Sequence, residues 1–457
     1  MSRIFFVSAM QVILSCLCLV DTARGELLAG AARESIVPPF PTKMGGFFDR
    51  LQPFQGVHDE IFARALVLDN GETQIVVIGS DLINVSADIT ARTRKNIERE
   101  TGIPPQNILV SSTHNHSSPS VNTPGRFDDP EEKSVSFFVE QFTKVALEAF
   151  KNRVPARAGF YAGELKGATR NRQQRNDLVD TQVGVLRVEE REGRKTIATL
   201  FNFTGHPVIL GSDNLLLSGE YPGAAQRAVE NMLGGVAIFT QGAAGDVTVH
   251  RSGDPFMEIE RLGRTVAGEV IKASGFIRGE EKLELAGAST TLNLAARQIP
   301  PLDETQAAIH SAEAELNSLA DTAANAELRE GIQNRLRLYR MNERFAKGLA
   351  DGSLKLPEQY HAEVQVLQIG DLVIVSIPGE IFVEYALELR QRIRQLLDKS
   401  MVLAGYANGY LGYIVTPRAA VTGGYEASIS RVRPDAGRQM TEAAVDLAGG
   451  LVQSKKR

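Results

Sequence analysis

Three of the seven histidines in the chain stand where an apolar run gives way to turn-forming residues. Chemistry is expected there first. Thr113-His114-Asn115-His116-Ser117-Ser118-Pro119 follows the strand-like run from Asn107 directly. Along a strand, positions i and i+2 share a face, so His114 and His116 are expected to point the same way. One imidazole could then hold a metal while its neighbour moves a proton; the alternative is a polar loop or a pair of satisfied core histidines. His206 ends a second apolar run, Phe201-Asn202-Phe203-Thr204-Gly205-His206. A small-residue turn, Gln241-Gly242-Ala243-Ala244-Gly245-Asp246, follows a third and offers backbone N–H groups, or simply turns the chain. Glu380 sits where a strand passes into a helix, in Ile377-Pro378-Gly379-Glu380, where an acid can also answer the helix dipole. Tyr406, Tyr410 and Tyr413 lie among glycines, with Tyr425-Glu426 beyond them. These tyrosines are active-site groups or packing groups.

Familiar single-motif templates do not occur: no His-Glu-x-x-His, no Gly-x-Ser-x-Gly elbow and no Gly-x-x-x-x-Gly-Lys. What remains is a dispersed set of nitrogen and oxygen donors. Such a set suits zinc, whose catalytic sites take about three protein ligands and keep one position open.

These groups hang on alternating elements. The runs from Ala65 and from Gln74 read as a hairpin around Asp69-Asn70-Gly71. Ala87–Glu100, Val135–Lys151, Ala224–Met232, Met257–Ser274 and 381–396 carry helical spacing. Gln182–Val188 with Thr196–Phe203, and Glu363–Leu367 with Leu372–Ser376, read as further hairpins. The strand from Met401 closes the regular part. Residues 303–349 are rich in Ala, Glu, Leu and Arg and lack Pro, and predict an inserted helical hairpin. Hairpins mixed with strand–helix units predict an α/β fold of mixed sheets flanked by helices.

Composition sets the outer limits. With 50 basic and 55 acidic residues the formal charge is −5, which argues against a nucleic-acid partner. Apolar residues make up 43%, ordinary for a globular chain. Met1–Arg3, the apolar run 4–20 and the small-residue break ending at Gly25 predict a signal peptide over residues 1–25 and a secreted or periplasmic protein. Both cysteines, Cys16 and Cys18, fall inside it, so the mature chain is expected to lack thiols. Residues 26–457 are expected to form one domain, because donors spread from 114 to 413 must converge. Peripheral membrane contact and oligomeric state stay open.

Taken in order, these segments resemble the catalytic domain of the neutral (alkaline, non-lysosomal) ceramidases, from about Leu27 onward. The resemblance rests on Gly30-Ala31-Ala32-Arg33-Glu34-Ser35-Ile36-Val37-Pro38-Pro39, Met44-Gly45-Gly46, Arg64-Ala65, Ser80-Asp81 and Thr113-His-Asn-His-Ser-Ser-Pro. It implies a zinc amidase that cleaves the N-acyl bond of ceramide or a related N-acyl lipid, a small-molecule substrate. His114, His206, Glu380 and Tyr413 are then the implied zinc ligands. His116 is the implied catalytic histidine, and Arg172 and Tyr425 are the implied groups at the reacting carbonyl; apart from the resemblance, the Gly242 turn could add a backbone N–H. Gly242 stands where the family has a serine. Thirty-two residues follow Tyr425, too few for the family's C-terminal immunoglobulin-like domain of about 100 residues. Both departures leave two alternatives: a zinc hydrolase of another amide or ester, or a non-catalytic binding homologue.

Overall fold

The computed structural model describes residues 25–47, 50, 52–121, 132–173 and 177–453. The expected signal peptide and both cysteines lie outside the described residues, Gly25 excepted.

Two mixed sheets stack between helices. The larger has eight strands, in spatial order Val236–Gln241, Thr196–Phe203, Gln182–Glu190, Val154–Glu164, Leu28–Ser35, Phe62–Asp69, Gln74–Ser80 and Ile108–Ser112. Its two end pairs are parallel and the pairs between them antiparallel. The smaller sheet orders Leu285–Ala295, Gln359–Ile369, Leu372–Ser376 and Ser400–Ala404. A shared core joins them: Leu66, Leu68, Val77, Leu109, Leu186 and Leu200 pack with Leu285, Leu367, Ile374 and Val402. Period-two alternation sends the intervening side chains to the helices.

Helices Ala87–Thr101 and Glu132–Lys151 cover one half of the large sheet's outer face. Glu220–Leu233 and Pro255–Ser274 cover the other half. Val383–Leu397 and Ala436–Gln453 cover the small sheet. The layers are helix, sheet, sheet, helix. Local sequence explains the helix ends. Ser86 accepts from the Ile89 N–H at 3.1 Å, and Gly102 closes that helix at φ 76°.

The expected mixed α/β architecture holds, and the inserted hairpin is present as Leu302–Ser318 and Ala326–Ala350. Two expectations need correction. The helix expected from Ala224 begins at Glu220, because Pro222 falls in the first turn, where the missing N–H costs nothing. Regular structure also continues past the strand at Met401: three helices follow, the last buried along Ala436, Met440, Ala444 and Ala448 at helical spacing. Among the described residues no helix is long and apolar enough to cross a membrane.

The large sheet rolls until its ends approach. Gln241, on one edge strand, donates through Nε2 to the Thr113 carbonyl beyond the other at 3.2 Å. The loops bearing His114 and Gly242 therefore meet, although they leave opposite ends of the strand order.

Candidate active site

His114 and His116 do converge, with ring centroids 5.1 Å apart, but not by strand alternation. The strand ends at Ser112, and His114 takes φ 64°, in the left-handed region that non-glycine residues rarely adopt. Two bonds hold it there: its N–H donates to the Leu82 carbonyl at 2.9 Å, and its Nδ1 lies 2.6 Å from the Ile83 carbonyl. Strain held in this way by surrounding structure is characteristic of functional sites.

His206 arrives from the neighbouring loop. Its N–H donates to the Val247 carbonyl at 3.0 Å and its Nδ1 lies 3.1 Å from the Ala244 carbonyl. A carbonyl only accepts, so Nδ1 carries the proton in both His114 and His206, and each Nε2 presents a lone pair inward. The His114 Nε2 faces Oε2 of Glu380 at 3.2 Å, and neither atom has a hydrogen-bond partner. The His206 Nε2 lies 2.9 Å from the His116 Nε2. Candidate ligand nitrogens of all three histidines fall within 4.8 Å of one another.

Facing acceptors, buried and without donors, are unfavourable unless a cation or a shared proton lies between them. The donor set of imidazole and carboxylate suits zinc. The residues therefore fit the metal that the sequence implied. Burial, followed by the nearby Arg172 charge, pushes the His206 pKa well down, which keeps the imidazole neutral and able to ligate. Burial acts to raise the Glu380 pKa, yet the hydrogen bond from Tyr410 and the Arg172 charge act to lower it, and it stays below the usual carboxylate value.

Glu380 is not the helix-start acid that its sequence setting allowed. It pairs with Tyr413 in a two-residue parallel bridge, and the helix begins only at Val383. Tyr413 is buried, and burial and the Glu380 charge push its pKa well up. Tyr425 is 43% exposed and meets Tyr413 edge to face at 5.9 Å. Arg172 lies beside them. It donates to the Gly245 carbonyl, pairs with Glu426 at 3.2 Å and sits 5.9 Å from the Tyr413 ring.

Gly242 does not match its expected use. Its N–H already donates to the Phe203 carbonyl at 2.9 Å, so it is not available to a developing oxyanion. Its lack of a side chain has a packing cause instead: a Cβ there would lie 2.0 Å from Oγ1 of Thr204.

Several supports have roles that the sequence did not assign, among them two of the tyrosines it singled out. The Tyr410 hydroxyl donates to Oε1 of Glu380, and Tyr406, at φ 54°, stacks on the His114 ring at 4.0 Å. Asp246 accepts from the Val383 N–H and from Asn171, both at 2.8 Å, and so ties the glycine turn to the Arg172 segment. Burial pushes the Asp246 pKa up to about 6. Glu220, at φ 49°, is fully buried and accepts from the Ile209 N–H at 3.0 Å and Ser117 Oγ at 3.4 Å. The clustering of glycine and tyrosine at 405–413 was the one local signal. The buried acids gave none, because acids in loops usually face water.

A buried histidine–carboxylate centre on the loops of a stacked, mixed-sheet α/β fold defines a class of protein suited to metal-assisted chemistry. The particular family follows from comparison: the chain belongs to the neutral/alkaline non-lysosomal ceramidases, matching the model of their N-terminal domain over residues 28–255 and 346–430. The segment between those matches contains all but the last turn of the helical hairpin. Neutral ceramidase B of Dictyostelium discoideum is 22% identical over 81% of this chain and 64% of its own length, so the chain spans less than two thirds of that relative. The neutral ceramidase of Mycobacterium tuberculosis is 22% identical over 84% of this chain and 70% of its own. The crystal structure of neutral ceramidase from Pseudomonas aeruginosa superposes with a TM-score of 0.74 at 20% identity, over 94% of this chain and 75% of that one. At that identity the likeness speaks for the fold.

Proposed function

We propose that the chain is a zinc-dependent amidohydrolase that cleaves the N-acyl bond of ceramide or a related N-acyl lipid. The observation that carries the reading is the pair of buried acceptors, Nε2 of His114 and Oε2 of Glu380, facing each other at 3.2 Å beside the His206 ring. Membership of the ceramidase family supports the choice of bond. His114, His206, Glu380 and Tyr413 would hold the metal, and zinc there would supply Lewis acidity and a water acidified toward neutral pH.

The remaining work falls to the chain's own side chains. His116 is the most exposed of the three histidines, at 9% against 2% for His114 and 1% for His206. Its ring lies 5.1 Å from that of Phe47, and an imidazole suits proton transfer near neutral pH. It takes the proton of the attacking water and delivers it to the leaving nitrogen. The acyl carbon gains the water oxygen and the C–N bond breaks, giving a carboxylic acid and an amine. Arg172 is a permanent cation beside Tyr413 and Tyr425, and these groups orient the carbonyl and answer its developing negative charge. With no side chain at Gly242, direct attack by water is favoured over an acyl-enzyme at that position.

The test is metal content and turnover together. His114→Ala and His206→Ala are each expected to lose stoichiometric zinc and all hydrolysis of a panel of N-acyl lipids, acyl sugars and simple esters. A variant that keeps one zinc per chain removes that histidine from the ligand set. Hydrolysis of esters but not amides would redirect the activity.

A further inference from the structure

Next to the candidate active site lies a concavity of about 380 Å³, lined by Arg170, Arg172, Val208, Thr248, His250 and Arg251 among others. Three arginines and a histidine line it, and none of its described lining residues is acidic. Arg170 projects from the middle of the short strand Thr169–Asn171, opposite Thr248 on Val247–Val249. The same two strands carry the active site: His206 bridges to Thr248, and Arg172 follows Asn171. Arg172 is therefore a wall common to both spaces.

The charge in this cavity is poorly neutralised from within. Arg172 has a partner in Glu426 at 3.2 Å. Arg251 donates to the Val208 carbonyl at 2.7 Å, which fixes its position without cancelling its charge. Neither Arg170 nor Arg251 forms an ion pair with a described residue. In a protein of net charge −5, clustered arginines with fixed backbones and no acids between them are a local exception. Guanidinium groups match carboxylate and phosphate oxygens bidentately, and their fields reinforce one another in a concave site.

We propose that this cavity binds an oxyanion group, a carboxylate, phosphate or sulfate, at the polar end of the N-acyl substrate. The inference rests on the hydrolase reading only for the word substrate; the anion site itself does not depend on it. An uncharged amide lipid would leave the cavity unused. An anionic one would place its charge between Arg170 and Arg251, with its amide carried past Arg172 toward His206.

Two measurements on the full metal-loaded protein separate the claims. In the first, octyl phosphate and octanol are titrated calorimetrically below their aggregation limits; neither contains an amide. Octyl phosphate is expected to bind at least tenfold more tightly, with affinity falling as salt rises. Arg170→Ala and Arg251→Ala should each cut that affinity about tenfold, and Arg251→Lys should restore much of it. In the second, kcat/KM is compared for decanoylglycine and decanoylglycinamide, which differ in one charge. A preference of at least tenfold for the carboxylate, reduced in both alanine variants, supports the proposal. Equal binding of phosphate and alcohol, unchanged by the substitutions, overturns it even if both amides are hydrolysed. Tight, arginine-dependent phosphate binding without hydrolysis of either amide upholds the anion site and instead defeats the hydrolase reading.

Discussion

Replacing Gly242 with serine is expected to destabilise the protein, although serine is the residue the family resemblance would place there. The Cβ would sit 2.0 Å from Oγ1 of Thr204, about 1.4 Å inside an ordinary contact of 3.4 Å. Thr204 cannot retreat as a unit. It directly follows the strand Thr196–Phe203, and the Gly242 N–H is bonded to the Phe203 carbonyl at 2.9 Å. Rotating the threonine side chain moves its Oγ1, but Cβ and Cα remain at 3.0 and 3.2 Å, still tight. Overpacking of this kind costs about 1–3 kcal/mol. The Thr204 hydroxyl is buried without a hydrogen-bond partner, so Thr204→Ala alone should stay within about 1 kcal/mol of wild type. The double variant Thr204→Ala/Gly242→Ser removes the worst contact and should recover about 1–2 kcal/mol, a coupling typical of touching residues. Urea unfolding midpoints at constant slope measure all four corners of this cycle. If Gly242→Ser keeps the wild-type midpoint, or if the double variant is no more stable than Gly242→Ser, the packing explanation for glycine at 242 is wrong.

Two further outcomes follow from buried groups away from the metal-type cluster. Burial raises the Glu220 pKa from 4.5 to about 8, against the donors Ile209 N–H, Leu210 N–H and Ser117. A raised carboxyl stays protonated in the folded state while the unfolded chain ionises. Its contribution is therefore complete below about pH 4.5 and declines to nothing as pH rises through about 8, a span worth roughly 5 kcal/mol. Glu220→Gln should flatten that slope in denaturant midpoints between pH 5 and about 8; an unchanged slope assigns it to other groups. Arg297 donates to the Ala427 carbonyl, at 2.6 Å, and to that of Ser428, and also reaches Asn342 on the inserted hairpin. Arg297→Ala should loosen the Tyr425–Ile429 turn, raise its amide exchange and lower kcat more than zinc content; unchanged exchange there would separate the hairpin from the site.

Much of the fold was legible because burial writes itself into period. The hairpin at Asp69-Asn70-Gly71, the helix from Ala87 and the inserted helices all rest on local spacing and turn chemistry, which neighbours in space need not supply. The helix at Ala436–Gln453 was missed. Its buried face is made of Ala436, Met440, Ala444 and Ala448, and small residues leave a weak hydrophobic signal.

The candidate site divides in the same way. The sequence by itself determined which groups were available: two histidines beside a strand end, a third before proline, a Pro-Gly-Glu and a run of tyrosines, in a described chain without thiols. It could not determine how they face. His114 reaches His116 through a left-handed backbone held by the Leu82 and Ile83 carbonyls, and Glu380 meets it from the other sheet's side of the molecule. Gly242 spends its N–H on Phe203 and its free space on Thr204. Those outcomes depend on the rolling of an eight-stranded sheet until its two ends touch, and on contacts between residues tens to hundreds of positions apart. Proton position, desolvation and steric exclusion are properties of such contacts, and only the tertiary structure decides them.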